Sequence, residues 1–292
     1  MPAPRENLGL LLGFIGMLAF AGTVPAARLA VAAIDPWFLT LGRAALAGIA
    51  ALIIVVAARR RLPPRATLAS FVVGAVGVVY GFPLLSSLAL VTVPAAHGGV
   101  VLGILPMATA ACAAAIAHER PSIGFWLASA AGAALVVGFA LRHGGAASLV
   151  GGDLLLVGAI ASAAIGYTLL GRLSLAMPGW EVICWALVLT LPVAVPAALA
   201  TWPADVSAIP PSAWAAFLYV SLISQLVGFF AWNAGLAFGG IARVSQMQLM
   251  QPFVIVALAA VVNAEPIEAE TLLFAAAVVA TVMVGRTMRI AR

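Results

Sequence analysis

Charge is what this chain most lacks. Only 8% of its 292 residues are Asp, Glu, Lys or Arg, and Lys does not occur at all. Soluble domains carry about 25% charged residues. So few charges do not cover a globule in water, which implies a bilayer as the solvent. Cysteine is nearly absent: Cys112 and Cys184 each fall inside an apolar run. They read as packing residues and say little about redox compartment. The three His are isolated and no carboxylates share a metal-ligand spacing, so no metal or cofactor is expected. No phosphate-binding loop is present, which excludes ATP as the direct energy source. Basic residues sit in short loops rather than on one face among aromatics, which excludes nucleic acid as a partner. Two-residue alternation is missing, and Ala and Leu dominate over β-branched residues, which argues against strands.

What the chain has is apolar length. Hydrophobic residues make up 65% of it. A helix needs roughly 20 apolar residues to cross the hydrocarbon layer. Loops of Arg, Pro, Gly and acids divide the chain into ten such runs: 8–28, 37–58, 66–88, 94–117, 122–141, 151–172, 180–200, 212–236, 243–264 and 268–286. The first is longer than a signal-peptide core and weakly basic at its flank, so it reads as a retained span. With the N-terminus inside, eleven loop and terminal Arg lie on the inner side and two, Arg28 and Arg142, on the outer. The positive-inside rule therefore predicts that both termini are cytoplasmic. Trp37, Trp126, Trp180, Trp202 and Trp214 fall near span ends, as an interfacial belt does.

The runs repeat. Pro106 is followed thirteen residues later by Glu119, and Pro252 by Glu265, at an offset of 146, half the chain. Gly22, Arg28 and Leu29 return as Gly166, Arg172 and Leu173. The predicted fold is an all-α integral membrane bundle of ten transmembrane helices, arranged as two inverted five-helix repeats. Residues 1–145 and 146–292 form the halves. Five spans per half is odd, so the halves insert with opposite orientation. The segment 142–145 reads as a hinge-like connection between them.

Several polar or aromatic residues stand inside spans. Gln225, Phe229, Trp232 and Asn233 share one helical stripe. They could line a cavity, or make interhelical hydrogen bonds with aromatics filling gaps. Gln246 and Gln251 belong to a Gln-rich start of the ninth run; Gln near that end could sit at the headgroup level, a reading that is weaker for Gln251 beside Pro252. Tyr80, His97 and Trp185 are further candidates for the pathway, His97 being open equally to a structural role or to proton coupling. Pro106 and Pro252 are candidate hinges, and glycines of the third and fourth runs allow close, sliding contacts. Arg43 lies six residues into its span and reads as snorkelling to the interface, or as holding a carbonyl or carboxylate. Glu119 and Glu265 end their helices at corresponding places, which points to structural roles.

The pattern opening at Pro36 and Arg43, the Pro106–Glu119–Arg120 segment and its copy Pro252–Glu265 resemble the EamA type of the drug/metabolite transporter superfamily, over nearly the whole length. Within it the chain is similar to the YddG-type bacterial exporters of aromatic and other neutral amino acids. The resemblance implies alternating access through a central cavity, export across the bacterial inner membrane, and small-molecule substrates such as amino acids. The bilayer is the other partner; oligomeric state stays open, a monomer included. The Gln246–Gln251 run departs from the small residues usual there and is attractive for selectivity. A multidrug or other metabolite exporter on the same scaffold is the main alternative. An intramembrane enzyme built on Ser86, Ser87 and His97 lacks a nucleophile-elbow signature.

Overall fold

The computed structural model describes residues 4–116, 120–239, 245–287 and 290–291. Helices dominate it. α1 comprises Pro4–Ala21 and Thr23–Val31. α2 is Pro36–Ala57. α3 comprises Leu68–Ala75, a π-helical stretch Val76–Gly81 and Phe82–Ala89. α4 comprises Ala95–Leu102 and Leu105–Ile116. α5 is Ile123–Val150, α6 is Gly152–Leu173 and α7 is Gly179–Ala200. α8 comprises Pro211–Leu218, a π-helical stretch Tyr219–Val227 and Gly228–Gly239. α9 comprises a 3-10 turn Ser245–Met250 and Gln251–Val262, and α10 is Ala269–Thr287. The strands are β1 (Arg120–Pro121) and β2 (Ile290–Ala291), paired antiparallel.

Among the described residues, seven helical spans are long and apolar enough to cross a membrane; stretches within α5, α9 and α10 are apolar but shorter. The sequence explains their limits. Asp35 caps α2 by accepting from the Trp37 and Phe38 amides at 2.8 and 3.2 Å, with Pro36 at the first helical position. Ile53, Val56, Leu127 and Leu273 are exposed on helices; such an apolar outer surface suits lipid. One expectation is corrected. Residues 142–145 continue α5 rather than forming a loop, and the turn falls at Gly151. Two Gly in an Ala-rich helix are tolerated where the helix continues on both sides.

The main packing partners come from different halves of the sequence. α1 packs on α8, α2 on α7, α3 on α6 and α5 on α10, while α4 packs most on α6 and also on α9. The pairs α1–α8, α2–α7, α3–α6, α4–α9 and α5–α10 run antiparallel. Arg60, after α2, meets Glu181 at the start of α7 at 3.4 Å, while Phe38 near the start of α2 meets Trp202 after α7. The first amides of α4 meet Glu265 beyond α9, and Gly103 faces Pro252. Gly132 faces Thr281 while Arg142 pairs with Glu270.

The repeated glycines sit in matching interfaces. Gly166 lies against α3, where a Cβ on Gly77 would come within 2.5 Å of the Ser162 carbonyl oxygen. Gly22 lies against α8, where a Cβ would strike the Tyr219 hydroxyl at 2.2 Å. At Gly77 and Gly166 only glycine permits backbones this close; at Gly22 it makes room for the Tyr219 ring. Arg28, the companion of Gly22, donates to the Leu90 and Val91 carbonyls at the end of α3. These carbonyls lack intrahelical partners and carry the negative end of the helix dipole.

Candidate functional site: a cavity at two broken helices

α4 and α9 are both interrupted. The α4 helix stops at Leu102 and restarts at Leu105; α9 changes from a 3-10 turn to α-helix at Gln251. The restarts are 146 residues apart, the offset of the sequence repeat. Each puts proline at the second position of the new segment: Pro106 and Pro252. Proline there removes an amide that has no helical partner anyway. The prolines therefore begin half-helices; they do not kink continuous ones.

Between the breaks lies a cavity of about 450 Å³. Its walls include Gly103, Pro106 and Thr109 of α4, Gln248, Gln251 and Pro252 of α9, Phe229, Trp232 and Asn233 of α8, Tyr167 of α6 and Phe20 of α1. It reaches Ser174 and Gly179 at the α6–α7 connection. Among the described residues, no charged side chain lines it. Phe20 packs edge-on to Phe229 at 4.9 Å and to Trp232 at 6.1 Å, so the aromatic wall is held by ring contacts. A smaller recess of about 50 Å³ shares Phe20, Tyr167, Phe229, Gln248 and Gln251 with it and adds Thr23, Arg43, Ser224 and Gln225.

The structure thus gathers Phe229, Trp232, Asn233, Gln251, Pro106 and Pro252 at one cavity and puts Gln225 in its recess. Asn233 also donates to the Gly179 carbonyl at 3.0 Å, which ties α8 to the start of α7. The side chain of Gln246, and Glu119 altogether, lie outside the described residues.

Three other expected pathway residues stand elsewhere. Tyr80 donates its hydroxyl to the Thr190 carbonyl at 2.9 Å, bridging α3 and α7. Trp185 is buried in the α2–α7 core and reaches Glu181 at 3.4 Å. His97 is buried against Phe139, with Nε2 2.7 Å from Asp153 Oδ1. Each has a protein partner, which holds it away from the cavity walls. Ser86 donates to the Phe82 and Pro83 carbonyls, and the Ser87 hydroxyl has no partner.

Arg43 does not reach the interface. It is 4% exposed, packed between helices, and its Nε has no hydrogen-bond partner. Asp153, which no sequence motif singles out, is buried in the first turn of α6. Glu265 supplies a helix cap. Its two oxygens accept from the Ala95 and Ala96 amides, both at 2.8 Å. Ala264 adopts φ 54°, a left-handed conformation rare for Ala, and so turns Glu265 toward α4. The cap puts a negative charge at the positive end of the helix dipole.

An apolar-surfaced helical bundle with an uncharged internal cavity at two broken helices is the architecture of a membrane transporter. The protein is a multi-pass integral membrane protein. Its sequence matches the profile of the EamA-like transporter family twice, over residues 7–141 and 150–285, and the chain belongs to that family. It is 45% identical over 263 residues to the Bacillus subtilis (strain 168) protein named uncharacterized transporter YdeK, with 90% of this chain and 91% of that one covered. A crystal structure of a protein 19% identical in sequence superposes with a TM-score of 0.64 over 96% of both chains, which shows a shared fold.

Proposed function

We propose that the protein is a secondary transporter that exports small metabolites, aromatic and other neutral amino acids foremost, across the bacterial inner membrane by alternating access. The observation that carries this reading is the cavity between the α4 and α9 breaks, walled by rings and amides. Its volume of about 450 Å³ lies within the range of small-molecule sites. Rings receive an apolar side chain, and amides and half-helix ends receive polar groups.

In this reading ten helices form two five-helix halves that meet near Gly151 and insert in opposite orientations. Three features support it. The counterparts α2 and α7, α4 and α9, and α5 and α10 each pack antiparallel. The third helix of each half carries a π-helical stretch, Val76–Gly81 and Tyr219–Val227. The fourth helix of each is broken beside proline. The Arg excess supports cytoplasmic termini. The end of the cavity at Ser174 and Gly179 then faces the cytoplasm, which is the state that loads an exporter. The opposite side is closed where the Tyr219 hydroxyl meets the Ala19 carbonyl beside Gly22, and where Arg28 ties α1 to α3. Outward opening requires these contacts to part.

Uptake of labelled phenylalanine, tryptophan and threonine into proteoliposomes, with and without a proton gradient, tests the reading. Flux of at least one of them is expected; no flux of any amino acid defeats the substrate claim. A multidrug exporter would instead move a cationic dye that these amino acids do not compete with.

A further inference from the structure

We propose that Arg43, with Gln225, anchors an oxyanion of the transported solute, the carboxylate in the case of an amino acid. The proposal rests on the cavity being the solute path, and it adds a selectivity rule: the path favours solutes that carry a carboxylate or similar group.

Three observations converge. Arg43 is 4% exposed, yet its Nε has no partner, and no ion pair to it occurs among the described residues. Gln225 is 2% exposed, and neither its amide nitrogen nor its amide oxygen has a partner. Both line the recess that shares Phe229 and Gln251 with the large cavity, so the unpaired groups stand at the closed end of the solute space. Buried polar groups are almost always hydrogen-bonded, and buried charges are paired. Two such groups left open in one recess mark the place of an absent partner. The guanidinium fixes that partner's chemistry. It has N–H donors in a planar fork, accepts nothing, and matches a planar oxyanion with two parallel bonds. Gln225 adds a further donor. The aromatic wall of Phe20, Phe229 and Trp232 then lies toward the rest of the solute. An ammonium group there would meet ring faces rather than a carboxylate, an arrangement that suits a zwitterion.

The alternative, a helix-stapling arginine, makes the opposite prediction for the empty protein. Removing a staple destabilises; removing an uncompensated buried cation does not. The test uses the full-length protein in detergent, as wild type, Arg43→Gln and Arg43→Lys. The first readout needs no solute: the melting temperature of empty Arg43→Gln is expected to equal or exceed that of wild type. A clear fall overturns the proposal. The second readout is thermal stabilisation by phenylalanine, by phenethylamine, which lacks the carboxylate, and by phenyl phosphate. Wild type is expected to be stabilised by phenylalanine or phenyl phosphate and not by the amine. Arg43→Gln should weaken that binding roughly 10- to 100-fold, the range for a charge-assisted bond; Arg43→Lys should weaken it less. Equal binding of the amine, undiminished binding by Arg43→Gln, or no stabilisation of wild type by either oxyanion overturns the anchor. If phenyl phosphate binds through Arg43 and no amino acid does, the anchor stands and the amino-acid assignment falls. If phenylalanine binds equally to Arg43→Gln, that assignment stands and the anchor falls.

Discussion

Two of the polar clusters buried among the described residues are built differently. His97 and Asp153 sit 2.7 Å apart, one on α4 and one on α6, away from the cavity. Arg43 on α2 and Gln225 on α8 are buried too, but they line a recess with unpartnered atoms instead of bonding to each other. The first cluster spends its polarity on the protein, although Asp153 Oδ2 has no partner. The second keeps its polarity for something else. The difference teaches how to sort intramembrane polar residues. Burial alone does not mark a pathway; burial with open hydrogen-bonding capacity beside a cavity does.

The largest effect should come from breaking the closed cluster. His97→Leu leaves the Asp153 carboxyl group buried without its partner. Loss of one member of a buried pair costs about 3–5 kcal/mol. A clear fall in melting temperature in detergent is expected, whereas His97→Leu with wild-type stability and abolished proton dependence of flux would move this pair from structure to coupling. Next comes the helix cap. Glu265→Ala strips two amides of α4 of their acceptors, and loss of about 1–2 kcal/mol is expected, as for other caps. The same melting experiment measures it.

On the open side the balance between stability and function should reverse. Gln251→Leu changes a half-buried cavity wall. Its melting temperature should stay near wild type. Its transport KM should rise several-fold, because about 1 kcal/mol of hydrogen bonding is lost. Equal KM values would remove Gln251 from the path. The smallest effect belongs to a third setting, the exposed loop before α8. Asp205 accepts from the Ser207 amide and hydroxyl and the Ala208 amide, and these bonds hold its carboxyl below the usual 3.8. Because the folded value is depressed, the loop's stabilisation is complete above the unfolded value and fades as pH falls through the folded one. Proteolysis of that loop should quicken only as the pH falls below 3.8, and Asp205→Asn should abolish the pH dependence.

Much of the fold was legible because lipid imposes a simple rule on length and polarity. The run 37–58 corresponds to Pro36–Ala57, and 180–200 to Gly179–Ala200. The repeat was legible because the two halves still share proline, glycine and glutamate at fixed offsets. Other features depend on tertiary packing and leave little local trace. The π-helical stretches carry no signature of their own. The pairing of His97 with Asp153 joins helices 56 residues apart in sequence. Pro106 and Pro252 were legible as special positions, but their place at the start of half-helices needed the backbone. At the cavity, the stripe of Gln225, Phe229, Trp232 and Asn233 was readable from its helical spacing. The burial of Arg43 was not, since a long side chain near a span end ordinarily reaches water.

Thr109 lies on the cavity wall just beyond the α4 break, and Cys112 and Cys184 are free thiols, so the experiment starts from a functional variant with both removed. A single Thr109→Cys in that background, in vesicles of known orientation, puts a reporter in the solute path. A membrane-impermeant maleimide should label it from the cytoplasmic side, and saturating transported amino acid should slow the labelling. Failure to label from either side, or a rate indifferent to every amino acid, would contradict a passage between the two halves.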